Sequence, residues 1–513
     1  MTDFAHSFVL ALALIGIVII VSALLSGLID RSGLPQIAVF LGIGAALGPA
    51  GLGVLNLTLQ SPVVRVVATL SLTLVLFTDA VSLNIAEVRR QSGLAFRMLG
   101  PGTLLCAAIT AFAAWWLLQI PPAGAAIMGA ALASTDPVLL RGLLRRRDIS
   151  STTRQALQLE SGLNDAVLLP IVVVAMAFSG QTDLSASGLA KLGLGLFILG
   201  PGAGVAIGLI AVAALDLIRK RTGVRRDYES LYSLGVAFTA FAAAEAVHGS
   251  GFLAAFAAGL TIAALDVELC DCFIEYGGVT AEMLLLFTFV IFGSSLIWSG
   301  FTVLDLATVI FAGVALTIRV PIYLLSLLGS RVDRRGQLLI AWFGPRGLSS
   351  LLLILLPVFA GLPGSDRLFA ICSLIVLLSV VIHGASPMLL ARMARKRELE
   401  LSAIANQPSP DVDSGENEKP TRASLPIIEV DAEEKEAETE STKVGSQSVT
   451  LAELRKLADS GEKVIILDVR TDRSLETSEL QVKGAVRLNP DHVAIEAREL
   501  KLPRDAWLIA YCA

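Results

Sequence analysis

Charge is scarce in this chain. Of its 513 residues only 17% are Asp, Glu, Lys or Arg, against 54% hydrophobic. That balance excludes a string of soluble domains, which the length alone would allow. Cysteine is scarce too, at five scattered positions: Cys106, Cys270, Cys272, Cys372 and Cys512. Three lie in or beside apolar runs, and Cys270-x-Cys272 stands alone, so neither a disulfide framework nor a metal site follows. The first apolar run, 8–29, lacks a basic leader and a small-residue cleavage site. It reads as a retained span rather than a signal peptide.

What the chain has instead is apolar length. Mean hydropathy is +0.73. Runs of about 20 residues, enough to cross a bilayer as a helix, recur as far as Met393. About thirteen spans are expected, near 8–29, 34–50, 63–83, 94–119, 124–143, 153–178, 189–217, 228–247, 250–266, 279–299, 302–328, 336–360 and 366–391. The fold class is therefore α, a polytopic membrane protein. Basic residues occupy alternate loops: Arg31; Arg89 and Arg90; Arg141, Arg145, Arg146, Arg147 and Arg154; Arg219 to Arg226; Arg331, Arg334 and Arg335; and Arg392 to Arg397. Lys and Arg mark the cytoplasmic side, which gives an outside N-terminus and a cytoplasmic C-terminus in the plasma membrane. The loop between spans nine and ten departs from the pattern, carrying Asp266, Glu268, Asp271 and Glu275, but acidic residues weigh little in topology. The lipid bilayer is the first expected partner. No cofactor and no nucleic acid are expected.

The net charge of −5 hides a division, because the C-terminal part is acidic while the membrane loops are basic. Three regions are expected: a membrane domain at 1–397, a disordered acidic linker at 398–447, and a small incomplete α/β segment at 448–513. In the last, Leu451-Ala452-Glu453-Leu454 suggests a short helix. Val464 to Val469 and Trp507 to Tyr511 suggest strands.

The chemistry concentrates between Thr135 and Asp165. In span six, Glu160 and Asn164 are four residues apart, and so are Ser161 and Asp165, so the four share one side of a helix. Two carboxylates, a hydroxyl and an amide oxygen then converge, and oxygen ligands suit hard cations. Polar residues also hold membrane helices together. That explains Ser161 or Asn164 alone, but poorly explains two acids so costly at bilayer depth. Span five carries Thr135-Asp136-Pro137, where proline breaks the helix. Irregular backbone at that depth must face protein or a water-filled cavity. Asp136 is expected to neutralise the amide end of the second half of its own helix.

Span twelve holds a second break, Gly344-Pro345-Arg346-Gly347, with Arg346 placed to neutralise carbonyl ends. Interrupted spans at corresponding places point to inverted repeats, spans 1–6 and 8–13, joined by span seven. Arg319 lies in the middle of span eleven and needs a partner, with Glu160 the candidate. Asp165 is then left as the free titrating group. Asp79, Asp216 and Asp305 lie near span ends, where solvation is expected. Glu245 and His248 flank a glycine-rich turn.

With these residues in hand, the chain resembles the monovalent cation/proton antiporters of the NhaP and sodium/proton exchanger group over about residues 8–393. The resemblance rests on Thr-Asp-Pro in span five, Glu-Ser-x-x-Asn-Asp in span six, the arginine of span eleven and the glycine-rich arginine motif of span twelve. That last motif often has leucine where Pro345 stands. The resemblance implies exchange of a monovalent cation (Na+, or K+ or Li+) for H+ by competition at Asp165, with alternating access, serving pH homeostasis. The cation would lie on Asp165, Thr135 and Ser161, with Asn164, Asp136 and Glu160 completing or supporting the site. Arg319 and Arg346 would compensate charge. Asn164 in place of a second acid implies electroneutral exchange, and the family is usually homodimeric.

The tail resembles the first half of a rhodanese domain, through Ile466 to Arg470, Lys483-Gly484-Ala485-Val486, Leu502-Pro503 and Trp507 to Ala513. Cys512 falls where that family carries its sulfur nucleophile, but the loop that would stabilise its thiolate is absent. No sulfurtransferase activity is expected, so the chain reads as a transporter rather than an enzyme. A K+/H+ antiporter, a membrane-anchored sulfurtransferase and a channel are the competing readings.

Overall fold

The computed structural model describes residues 36–83, 85–136, 140, 149–179, 185–221, 226–265, 278–330, 332–405, 463–469, 485–488 and 507–511, with Gly16, Ile20 and Leu24 in helix ahead of them. Most of the first span, Pro137, the arginine-rich loop at 141–148, the acidic loop at 266–277, the 451–454 stretch and Cys512 lie outside the described residues. The chain divides into two compact units, Met1–Pro410 and Asp411–Ala513.

Among its described residues, the first unit forms helices and the turns that connect them. Its helices are α1 (Gln36–Leu47), α2 (Pro62–Val81), α3 (Ser92–Leu118), α4 (Pro122–Ala133), α5 (Ser151–Ser179), α6 (Ala186–Arg221), α7 (Arg226–Ala246) and α8 (Gly251–Leu265). They continue with α9 (Gly278–Ile291), α10 (Leu306–Thr317), α11 (Arg319–Ser326), α12 (Arg334–Trp342), α13 (Leu348–Phe359) and α14 (Ser365–Ala405). Each expected span from the second onward contains one of these helices or a pair of them. Among the described residues, seven stretches are long and apolar enough to cross a membrane. The turn between α7 and α8 falls at His248-Gly249, where His248 takes a positive φ of 58°.

Irregularities follow the sequence. In α3 the segment Met98–Leu104 winds as a π-helix around Pro101, which lacks the N–H an α-turn would use. In span eleven, α10 ends at Thr317 and α11 begins at Arg319, because Pro321 cannot donate to the Thr317 carbonyl. In span twelve, residues 343–347 are not helical and separate α12 from α13.

Two apolar clusters hold the unit together. The larger joins α1 to α5 with α9 to α14 around residues such as Phe40, Met128, Leu168, Phe289, Phe311 and Phe369. The smaller joins α2 with α6, α7 and α8 through Phe77, Ala237, Ala240, Ala255 and Ala258. Small residues at such contacts let helix backbones approach, which is how membrane helices associate. Large apolar side chains such as Trp116, Phe197, Ile210 and Leu306 point outward, as they do when lipid covers them.

Two details differ from the sequence reading. The last helix runs on past Arg397 to Ala405, into the stretch assigned to the linker. Its continuation is rich in Glu, Leu and Ala, which favour helix whatever their solvation. Asp79 is not solvated but 8% exposed, because Gly162 lets α5 close over the last turn of α2. Asp216 and Asp305 are exposed as expected, the first paired with Lys220 and the second capping α10 through Thr308 N–H.

In the second unit, the described strands are β1 (Val464–Asp468), β2 (Val486–Arg487) and β3 (Trp507–Tyr511). They form a parallel sheet in the order β2-β1-β3, with Asp468 and Leu488 buried. β1 and β3 fall on the two apolar runs expected to be strands.

Candidate ion-translocation site

The breaks of spans five and twelve meet in the interior of the first unit. α4 ends at Ala133, leaving Ser134, Thr135 and Asp136 outside the helix and buried. Asp136 N–H donates to the Pro345 carbonyl at 2.9 Å, so the two broken segments are hydrogen-bonded to each other.

Their charges compensate crosswise. Arg346 Nη1 donates to the Ala133 carbonyl at 3.1 Å and the Ser134 carbonyl at 3.2 Å, the exposed carbonyl end of α4. Asp136 Oδ2 accepts from Leu348 N–H at 2.7 Å, at the amide end of α13. Each charge therefore serves the helix of the other span. The positive amide end and the negative carbonyl end of a helix each favour an opposite charge within the last turn. Asp136 was expected to serve the second half of its own helix, whose first residues lie outside the described ones; the bond seen here goes to α13. A glycine is required at this contact. A β-carbon on Gly347 would collide with the Asp136 carboxylate.

α5 supplies the acids. Glu160, Asn164 and Asp165 are all at most 1% exposed. Glu160 receives two parallel bonds of 2.6 Å from Arg319 Nη1 and Nη2. Its Oε1 also accepts from Tyr323 OH at 2.9 Å and from Thr135 Oγ1 at 3.3 Å. Four donors thus meet the carboxylate, three of them at Oε1. Arg319 further donates to the Ile340 carbonyl at 3.0 Å, and its guanidinium lies 3.8 Å from the Tyr323 ring centroid. The guanidinium passes so close to Gly344 that a β-carbon there would strike it.

Asp165 is held differently. Its Oδ1 accepts from Ser134 Oγ at 2.5 Å, and the Ser349 hydroxyl, in the first turn of α13, also faces it. Its Oδ2 is buried with no hydrogen-bond partner, and so is Asn164 Oδ1. Asn164 Nδ2 donates to Thr135 Oγ1 at 2.5 Å, which aims the amide and leaves that oxygen open. Buried oxygens without donors are rare and costly, and an ion is one thing that satisfies them. Asp165 Oδ2 and Asn164 Oδ1 are oxygen ligands of the kind hard cations take. Ser161 is buried, but its hydroxyl bonds the Gln158 carbonyl of its own helix at 3.4 Å rather than another site residue.

The structure thus brings together Thr135, Asp136, Glu160, Asn164, Asp165, Arg319 and Arg346. Sequence reasoning missed Ser134, Ser349, Tyr323 and Thr103, whose Oγ1 lies 3.0 Å from Tyr323 OH. Tyr323 had a signal: it follows Arg319 by one helical turn. The serines had none, since each sits beside a motif without completing one.

A bilayer-spanning helical unit, two interrupted helices meeting at its centre and a dry acid with open oxygens define a secondary transporter. Comparison with known proteins gives its family. The profile described as sodium/hydrogen exchanger, transmembrane, matches residues 17–392. The chain belongs to this family of monovalent cation/proton antiporters. It is 28% identical over 410 residues to the K(+)/H(+) antiporter NhaP2 of Shewanella sp. strain MR-4, covering 77% of this chain and 68% of the relative. It is 27% identical over 398 residues to the K(+)/H(+) antiporter NhaP of Alkalimonas amylolytica, covering 76% and 67%. The fold is similar to that of the sodium proton antiporter MjNhaP1 from Methanocaldococcus jannaschii at pH 8, with a TM-score of 0.61 at 21% identity, covering 76% of this chain and 99% of that one.

Proposed function

We propose that Asp165 is the carboxylate at which cation and proton compete, and that sodium or potassium is the cation. The observation that carries this reading is the contrast between the two acids of α5. Both oxygens of Glu160 accept hydrogen bonds, four in all from Arg319, Tyr323 and Thr135, whereas Asp165 Oδ2 and Asn164 Oδ1 have no hydrogen-bond partner. A buried carboxylate without a counter-charge in contact is unfavourable as a bare anion. It therefore holds a proton or a cation, and one occupant excludes the other. Thr135 positions the Asn164 amide, and the Ser161 hydroxyl approaches the cation after turning from Gln158.

One negative site carries one positive charge each way, so exchange is electroneutral. Alternating access comes from the bundle that carries the two breaks moving against the other helices around the site. The protein works as a homodimer in the plasma membrane, with its C-terminus and the β-sheet unit in the cytoplasm. The basic loops support that orientation. The β-sheet unit is an accessory to transport, rhodanese-like in strand pattern. Potassium is favoured by the names of the Shewanella and Alkalimonas relatives, sodium by that of MjNhaP1.

The test is a ΔpH assay in inverted vesicles, adding Na+, K+ or Li+ separately to wild type and Asp165→Asn. Wild type dissipates the gradient with at least one cation and Asp165→Asn with none. Dissipation by Asp165→Asn on adding a cation overturns the assignment.

A further inference from the structure

The break of span twelve is held from span thirteen by two side chains that the transport site does not use. Ser379 and His383 lie four residues apart on α14, hence on one face, and are 0% and 5% exposed. Ser379 Oγ accepts from Arg346 N–H at 2.7 Å, in the middle of the break. His383 Nδ1 lies 3.1 Å from the same Oγ. A hydroxyl that accepts from an amide still has its own proton to give, and in the tautomer with a free Nδ1 lone pair that nitrogen takes it. The other nitrogen then carries the ring proton. The Trp342 backbone, where α12 ends, faces the ring, and the Trp342 indole packs at 5.6 Å between centroids. The imidazole and serine together splint the gap from Trp342 to Arg346.

The splint leads to the transport carboxylate. Arg346, held by Ser379 through its amide, holds Ser134 through its guanidinium. Ser134 donates to Asp165. His383 is thus joined to Asp165 by an unbroken series of contacts through Ser379, Arg346 and Ser134.

We infer that His383 is a positioning residue for the span-twelve break, and that protonation of its imidazole lowers the maximal rate of exchange in acid. Protonated, both ring nitrogens are donors. The bond to Ser379 must reverse, so Ser379 Oγ must accept from Nδ1 and Arg346 N–H together and send its own proton elsewhere. The new charge also faces two cations, Arg346 from the break and Arg319 from α11. The described elements packed most extensively on α14 are α4, α10, α13 and the Ile297–Val303 turn, which contain no Asp, Glu, Lys, Arg or His, while α12, which ends at Trp342, carries Arg334 and Arg335 in its first turn. No carboxylate on those elements offsets the added charge. The break loosens, and with it the Ser134 contact to Asp165.

This inference rests on exchange at Asp165, and saturation separates the two. Proton competition at Asp165 raises the cation concentration needed but is overcome when cation saturates. An effect through His383 remains in the maximal rate. The experiment measures that rate in proteoliposomes of wild type, His383→Asn and Ser379→Ala. It uses saturating Na+ or K+ and extends from about pH 8 down to about pH 4, because burial beside cations disfavours a protonated imidazole. Asparagine places an amide oxygen where Nδ1 stands, but does not titrate. Wild type loses maximal rate toward acid, and His383→Asn keeps it. Ser379→Ala, which leaves Arg346 N–H without its acceptor at every pH, is slow throughout and flat. An acid decline in His383→Asn equal to that of wild type, or in Ser379→Ala if the first variant does not fold, overturns the inference. So does a wild-type maximal rate that does not fall. Exchange surviving in Asp165→Asn sinks the site assignment instead, and leaves these profiles to be judged separately.

Discussion

Arg319 and Glu160 meet through two parallel hydrogen bonds of 2.6 Å, with side chains 3% and 0% exposed. Neither has water to fall back on. Removing one partner of a buried pair strands the other, at a cost of about 3–5 kcal/mol. Arg319→Ala and Glu160→Ala are each expected to lower the thermal unfolding midpoint of the purified protein sharply. The pair Glu160→Gln with Arg319→Gln should lose less than the two single glutamine variants combined. Additive losses in a double-mutant cycle would mean that the pair does not act as a unit.

The two close approaches at the breaks predict where a single methyl group is harmful. Gly347→Ala places a carbon against Asp136, and Gly344→Ala against Arg319, whereas the space beside Gly313 in α10 is open. Both break variants are expected to lose exchange in the vesicle assay at normal membrane abundance. Gly313→Ala should transport like wild type. Loss in all three would point to general helix sensitivity rather than to these contacts.

Thr135 donates to Glu160 and accepts from Asn164, tying the two together. Thr135→Val leaves both groups one bond short, and an unmet buried polar group costs about 1–3 kcal/mol. The half-saturating cation concentration is expected to rise about tenfold, the equivalent of 1.4 kcal/mol. Thr135→Ser, which keeps the hydroxyl, should restore most of the affinity. An equal defect in both variants would place the effect in the lost methyl group.

Asn164 stands beside Asp165 where a second acid would add a second exchangeable charge. Wild-type exchange in proteoliposomes should therefore be indifferent to an imposed diffusion potential. A rate that follows the sign of the potential would show that net charge moves in each cycle.

Much of the site was legible in the sequence because its parts violate the rules of membrane helices. Proline and glycine in mid-span announce the breaks, and an arginine amid apolar residues announces a partner. Glu160 is the candidate for that partner, and the antiporter resemblance implies the same pairing. What could not be read was which helix end each charge serves. Asp136 is next to its own half-helix in sequence but reaches Leu348 in space. Tyr323 reads as part of an amphipathic face until Glu160 is placed against it. Asp79 reads as solvated because position along a span says nothing about what covers it. His383 and Ser379 look like ordinary polar residues of the last span, and only the neighbouring break gives them a task.

The crossed contacts at the breaks also fix how the membrane's electric field acts on the moving part. Glu160 is paired with Arg319, while Asp136 and Arg346, of opposite charge, each meet a helix end across the two breaks. With Asp165 as the exchanging group, the described site residues Asp136, Glu160, Asp165, Arg319 and Arg346 sum to one negative charge when the site is empty and to none when it is loaded. Electrical work is then done only on the empty carrier, about 2.3 kcal/mol per elementary charge for each 100 mV crossed. An empty carrier that also lacks its ion in a dry interior has two reasons not to cross, and strict coupling of cation to proton follows from that without any separate gate.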